Sequence, residues 1–128
     1  MTRQAVSTTG APAALGPYSQ AIAVGGFVFV SGTVGIDPET GEVADGVAAQ
    51  TERALLNIAA ILEAAGTSMD HLVKTTIFYA RVEDFATINE VYARNMPDPA
   101  PARSAPANVV LPRGLLISIE AIAALPDA

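Results

Sequence analysis

Hydrophobic positions along the chain change their period several times, and each change marks an element. Tyr18–Val24 and Phe27–Ser31 are two β-prone runs separated by Gly25-Gly26. They predict a hairpin, because glycine accepts the positive φ that tight turns between strands demand. Residues 35–46 are crowded with turn formers, Gly35, Asp37, Pro38, Gly41 and Gly46 among them, and predict a loop. From Val47 to Ala65 the apolar residues Leu55, Ile58, Leu62 and Ala65 recur at steps of three and four, with Gln50, Glu52, Arg53, Asn57 and Glu63 mostly between them. That is the pattern of a helix with one buried face. Its many alanines favour the helix and let it lie close to a sheet, and Gly66 stands where a left-handed C-terminal cap belongs.

Strand chemistry returns over Val73–Ala80, where Thr75, Thr76, Ile77, Phe78 and Tyr79 are all β-branched or aromatic. Asp84 is placed to cap a second helix, with Phe85, Ile88, Val91 and Tyr92 at helical spacing and an end before Pro97. Pro97, Pro99 and Pro101 make the following stretch an extended or turning connector. A short strand over Ser104–Leu111, weakened by Pro106, precedes a clear last strand over Leu115–Ala123. In that strand Leu115, Ile117, Ile119, Ala121 and Ala123 share one face, and Leu116, Ser118, Glu120 and Ile122 share the other. The order predicts a single α+β domain over residues 1–128, with residues 1–10 as a peripheral strand or flexible N-terminus. Its sheet is mixed and mostly antiparallel, with two helices packed on one face. The other face needs separate cover, and subunit association is the simplest.

Composition narrows the chemistry. The 128 residues include no cysteine and one histidine, His71. Thiolate zinc sites, cysteine nucleophiles and CxxC redox motifs are therefore excluded, and multi-histidine metal clusters and Ser-His-Asp triads are disfavoured. No metal and no cofactor is expected. The acidic cluster Asp37, Glu39 and Glu42 lacks the spacing of a calcium loop and reads as a solvated turn. Thirteen acidic residues stand against seven basic ones, with Lys74 the only lysine. Such a chain lacks the basic stripe that neutralises phosphates, so nucleic acid is not an expected partner. No apolar stretch approaches the length of a membrane span or of a signal-peptide core. The expectation is a soluble, cytoplasmic protein with no membrane partner.

Few polar residues invite a chemical reading. Lys74 sits at an alternating strand position, where solvation is commoner than Schiff-base chemistry, and His71 falls at a helix-to-strand junction on the surface. Ser31-Gly32 ends a strand and is either a plain turn or a place where a ligand can approach backbone closely. Glu120 interrupts an otherwise apolar strand, and a charge there must reach water, pair or act. Arg103 and Glu120 are then either a structural ion pair or parts of a site.

Six segments carry a resemblance: Gly16-Pro17-Tyr18-Ser19-Gln20-Ala21, Val30-Ser31-Gly32, Val73-Lys74-Thr75-Thr76, Asp84-Phe85-Ala86-Thr87-Ile88-Asn89, Pro101-Ala102-Arg103-Ser104 and Ile119-Glu120-Ala121-Ile122-Ala123. In that order, from about Ala11 to Ala123, they closely resemble the RidA (YjgF-type) reactive-intermediate deaminases. The resemblance implies a chorismate-mutase-like α+β fold, a barrel-like homotrimer with clefts between subunits, and cofactor-free hydrolysis of 2-imino acids. Substrates such as 2-iminobutanoate and 2-iminopropanoate would yield 2-oxo acids and ammonia. By the same resemblance, Arg103 corresponds to the arginine that grips the substrate carboxylate, and Glu120 to the residue that positions and deprotonates the attacking water. Tyr18, Ser31 and Asn89 correspond to cleft positions that contact or shape the substrate site, with the backbone as a route for Asn89.

Three departures from the family pattern touch the expected cleft wall: Ala105 replaces a cysteine that many deaminating members carry, Thr33 replaces the usual glutamine, and the connector before Pro101 is shorter and richer in proline. The rival readings are a noncatalytic trimer that binds a small carboxylate or regulates another protein, and a family enzyme for a different imine or enamine in a degradative pathway. Ribonuclease activity, sometimes attached to the family, is disfavoured by the net charge of −6.

Overall fold

Gly25 and Gly26 take φ values of +61° and +85°, and this pair of left-handed residues turns strand β2 (Ala21–Val24) back onto strand β3 (Phe27–Val34). The structure, a computed structural model, describes residues 1–126. Beyond the hairpin lie α1 (Gly46–Ala64), β4 (Leu72–Tyr79), α2 (Phe85–Asn95), β5 (Ala102–Ser104) and β6 (Ile117–Ala124), and β1 (Gln4–Val6) precedes it. One six-stranded sheet collects the strands in the order β1-β2-β3-β6-β4-β5. Every pairing is antiparallel except β4 with β5, which is parallel. The architecture is therefore α+β, with a mixed, mostly antiparallel sheet and two helices packed on one face.

The alternation along β6 decides which face the helices cover. Ile117, Ile119, Ala121 and Ala123 are buried, and they meet Val28 and Val30 of β3, Ile77 of β4, and Leu55, Ile58 and Leu62 of α1 in one core. Ile88 and Tyr92 bring α2 into the same cluster. Full burial of a side chain such as Ile58 or Ile117 contributes roughly 1.5–3 kcal/mol over leaving it exposed. On the opposite face Phe27, Phe29, Lys74 and Glu120 stay exposed, and among the described residues no helix covers them.

Several local expectations change on folding. Gln50 and Asn57, expected on the polar side of α1, are buried. Asn57 donates to the carbonyls of Val34 and Ile36 and accepts from Arg53, while Gln50 accepts from the Leu116 amide and donates to the Ala44 carbonyl. Two amide side chains thus tie α1 to the ends of β3 and β6, satisfying backbone groups that the ladder leaves over. Asp84 does not cap α2 through its side chain. It lies in a single 3-10 turn over Val82–Asp84, and its carboxylate accepts from Arg81 at 3.0 Å instead. The strand expected over Ser104–Leu111 is replaced by β5 over Ala102–Ser104, after which Pro106 and left-handed Asn108 (φ 62°) keep the chain irregular. Gly66 does take the left-handed conformation expected of a helix end, at φ +91°.

At Gly35 the chain leaving β3 passes close against the backbone of α1. A Cβ there would lie 2.5 Å from both the Cα and the carbonyl oxygen of Gln50, inside the contact limit of backbone that cannot rotate away. Gly35→Ala is expected to destabilise the fold by about 1–3 kcal/mol, read as a lower urea midpoint at fixed protein concentration.

Candidate active site

A β-bulge sets the first part of the site. Val30 pairs with Ala121 and Thr33 with Ile119, so β3 holds one residue more than its partner between the two rungs. Within this bulge the Ser31 amide donates to the Gln20 carbonyl, and the Ser31 hydroxyl donates to the Ser19 carbonyl at 2.6 Å. The segment leading into β2 is thereby pinned beside the bulge, and Tyr18, half exposed at 56%, shares a small cavity with Ser31, Gly32, Pro12 and Ala13. Thr33 is buried, and its hydroxyl donates to the Ser31 carbonyl. Ala105 is half-buried and packs against the core.

Arg103 and Asn89 form the second part. Arg103 lies on β5 opposite Thr75 of β4, and its Nη1 donates to Asn89 Oδ1, one helical side chain from α2, at 2.6 Å. The guanidinium also sits against the rings of Phe85 and Tyr92. Both Arg103 and Asn89 are exposed, and they border a cleft of about 540 Å³ with Tyr92, Met96 and Pro101. A planar guanidinium has five N–H donors and matches a carboxylate with two parallel bonds. Asn89 is its one side-chain hydrogen-bond partner among the described residues, so most of those donors remain for a ligand.

Glu120 stands apart from both. It is paired across the ladder with Thr76, whereas Arg103 is paired with Thr75. Successive residues of β4 point to opposite faces of the sheet, so the Arg103 side chain lies on the helix side and the Glu120 side chain on the open side. Glu120 lines a shallow depression of about 180 Å³ with Phe29, Lys74, Thr76 and Ile122. Among the described residues the ion pairs are Arg81–Asp84 and Arg94–Glu90. The Arg103–Glu120 pair that the sequence left open does not form within one chain. Likewise, among the described residues no group of three or more His, Asp or Glu side chains converges in a way that could hold a metal ion.

Gln20 is a contributor that sequence reasoning missed. It is buried, it accepts from the Thr8 amide at 2.7 Å, and its Nε2 donates to the carbonyls of Thr8, Ala11 and Pro12. One side chain thereby folds residues 8–12 against the start of β2, where Pro12 borders the small cavity beside Ser31 and Thr8, Thr9 and Ala11 line a separate one with Tyr18. Its only sequence signal was its place between Ser19 and Ala21.

Known proteins resemble this chain along nearly its whole length. The family described as endoribonuclease L-PSP matches residues 8–125. The chain is 50% identical over 124 residues to the chloroplastic Reactive Intermediate Deaminase A of Arabidopsis thaliana, covering 96% of this chain and 66%, just under two thirds, of that relative. It is 47% identical over 122 residues to the 2-iminobutanoate/2-iminopropanoate deaminase of Mus musculus, covering 94% of this chain and 90% of the mouse protein. The crystal structure of E. coli TdcF with bound serine superposes with a TM-score of 0.90 at 39% identity, covering 96% of this chain and 99% of that one.

Replacing Gln20 by Leu strands four backbone groups in a partly buried segment, at about 1–3 kcal/mol for each group left unsatisfied. Hydrogen exchange at the Thr8 amide is expected to quicken at least about tenfold, while the amides of β6, held between β3 and β4 in the middle of the sheet, keep their protection.

Proposed function

We propose, starting from the fact that this chain belongs to the endoribonuclease L-PSP family, the RidA (YjgF-type) reactive-intermediate deaminases, that it is an enzyme hydrolysing 2-imino acids such as 2-iminobutanoate and 2-iminopropanoate to 2-oxo acids and ammonia. The observation that carries this reading is the exposed Arg103 guanidinium, anchored through one nitrogen to Asn89 with its remaining donors free. A short substrate bearing a carboxylate beside its reacting carbon suits that fork. Serine, the ligand bound to the E. coli relative, is likewise a small amino-acid carboxylate.

The reaction asks for little machinery. With the carboxylate held by Arg103, the protonated imine carbon is already electrophilic. Glu120 accepts a proton from a water whose oxygen bonds to that carbon, forming a carbinolamine. Glu120 then returns the proton to the nitrogen, the C–N bond breaks as the carbinol hydroxyl gives its proton to Glu120 and becomes the carbonyl, and the ammonia released takes up that proton, so iminium and water give the 2-oxo acid and ammonium without metal or covalent nucleophile. Fixing water, carboxylate and carbon in one geometry supplies most of the advantage. Tyr18 and Ser31 shape the wall of the site.

The opposite-face placement of Arg103 and Glu120 supports an assembled site. A cleft holding both draws them from different copies of the chain, and the uncovered sheet face with Phe27 and Phe29 gives those copies an apolar surface to share. We assign a homotrimer of chorismate-mutase-like, barrel-like form, with clefts between subunits. We propose a cytoplasmic location, with which the cysteine-free composition is consistent; among the described residues no helix is long and apolar enough to cross a membrane. Removal of reactive imines released by other enzymes is the role such an activity serves.

Generating 2-iminobutanoate with an amino-acid oxidase and following its decay tests the activity directly. Added protein is expected to accelerate the decay, and no acceleration across a panel of imino acids overturns the assignment. Arg103→Ala is expected to lower the acceleration about 10–100-fold, the loss of a charge-assisted pair of hydrogen bonds. Glu120→Gln is expected to lower it about 10²–10⁴-fold, the range of a general base. Sizing chromatography coupled to light scattering is expected to return three chain masses.

A further inference from the structure

The Arg103 guanidinium is held by more than Asn89. Its central carbon lies 5.1 Å from the centroid of the Tyr92 ring and 5.6 Å from that of Phe85, both within the roughly 6 Å at which an aromatic face attracts a cation. Neither ring stands alone. Tyr92 is buried, and its hydroxyl shares a 2.6 Å hydrogen bond with the buried hydroxyl of Thr75. Thr75 is the residue opposite Arg103 in the β4–β5 ladder. The Phe85 ring leans on that of Tyr79 at 5.9 Å between centroids. Phe85 nevertheless keeps 36% of its surface exposed, so burial alone does not account for a phenylalanine at the start of α2.

We propose that Phe85 and Tyr92 are positioning residues for the carboxylate clamp: with Asn89 they hold the Arg103 guanidinium in one orientation before substrate arrives, and the Thr75–Tyr92 hydrogen bond fixes the ring nearest to it. The proposal deepens the assigned function and rests on its reading of Arg103. A free arginine loses much side-chain freedom when it grips a ligand, and one already confined between two rings and an amide loses less. The gain falls on binding of the carboxylate, a group that does not change during the reaction, and so on affinity rather than on the chemical step.

The experiment measures affinity of the intact protein for 2-oxobutanoate, the stable product that carries the same carboxylate, by NMR titration. Phe85→Leu is expected to weaken Kd about 3–10-fold, Phe85→Tyr to restore it to within about twofold, and Phe85→Leu to have no further effect when Arg103 is already Gln. Tyr92→Phe keeps the ring and is expected to lower thermal stability more than affinity. An unchanged Kd in Phe85→Leu, or the same fold-loss with and without Arg103, overturns the positioning role. An unchanged Kd in Arg103→Gln instead overturns the carboxylate-clamp reading on which it rests. Because Phe85 is partly exposed, its variants test the idea even if Tyr92→Phe fails to fold.

Discussion

Burial of one face of the six-stranded sheet beneath α1 and α2 is the constraint on which the rest of the molecule depends. Once Ile117, Ile119, Ala121 and Ala123 are committed to the helix side, the strict alternation of a strand sends Glu120 and Ile122 to the other. The same register carries Phe27, Phe29, Lys74 and Thr76 outward. No single residue of that open face could be moved inward without slipping β6 and exposing the core. The apolar outer surface and the acid placed within it are therefore consequences of how the core is packed.

That geometry also separates the two charges that matter most. Had Arg103 and Glu120 shared a face on neighbouring strands, each would neutralise the other, and neither would be ready for a ligand. Placed on opposite faces, the arginine is occupied by an amide oxygen and two rings, all neutral partners that orient the guanidinium and leave its charge uncompensated. The bulge at Ser31 makes a third, independent station, where a hydroxyl and an amide are spent on fastening the segment that carries Tyr18. Each station is locally well determined, and the proposed assembly is what brings them to one substrate.

Much of this was legible in the chain because it is periodic or obligatory. The Gly25-Gly26 turn, the three-and-four spacing of Leu55, Ile58 and Leu62, and the alternation from Ile117 to Ala123 each follow from a repeat that one element alone can satisfy. Buried polar residues were not legible. Gln20, Gln50 and Asn57 look like surface residues until the backbone groups they serve are placed, and those groups come from 6 to 66 positions away. Asp84 failed as a cap for a related reason: Arg81, three residues back, offered its carboxylate a partner. Pro106 foretold trouble for a strand, but the actual strand, Ala102–Ser104, is parallel to β4, and no local pattern announces a parallel partner.

The sequence by itself determined the α+β class, the two helices, the faces of the last strand and, through six ordered motifs, which side chains were worth following. Local periodicity and residue chemistry suffice for these because they depend on neighbours within a few positions. Tertiary structure alone decided that Arg103 and Glu120 do not meet within a chain, that Phe85 and Tyr92 flank the guanidinium, and that β3 carries a bulge at Ser31. Those outcomes depend on register between strands distant in sequence, where one residue of offset turns a side chain from one face of the sheet to the other.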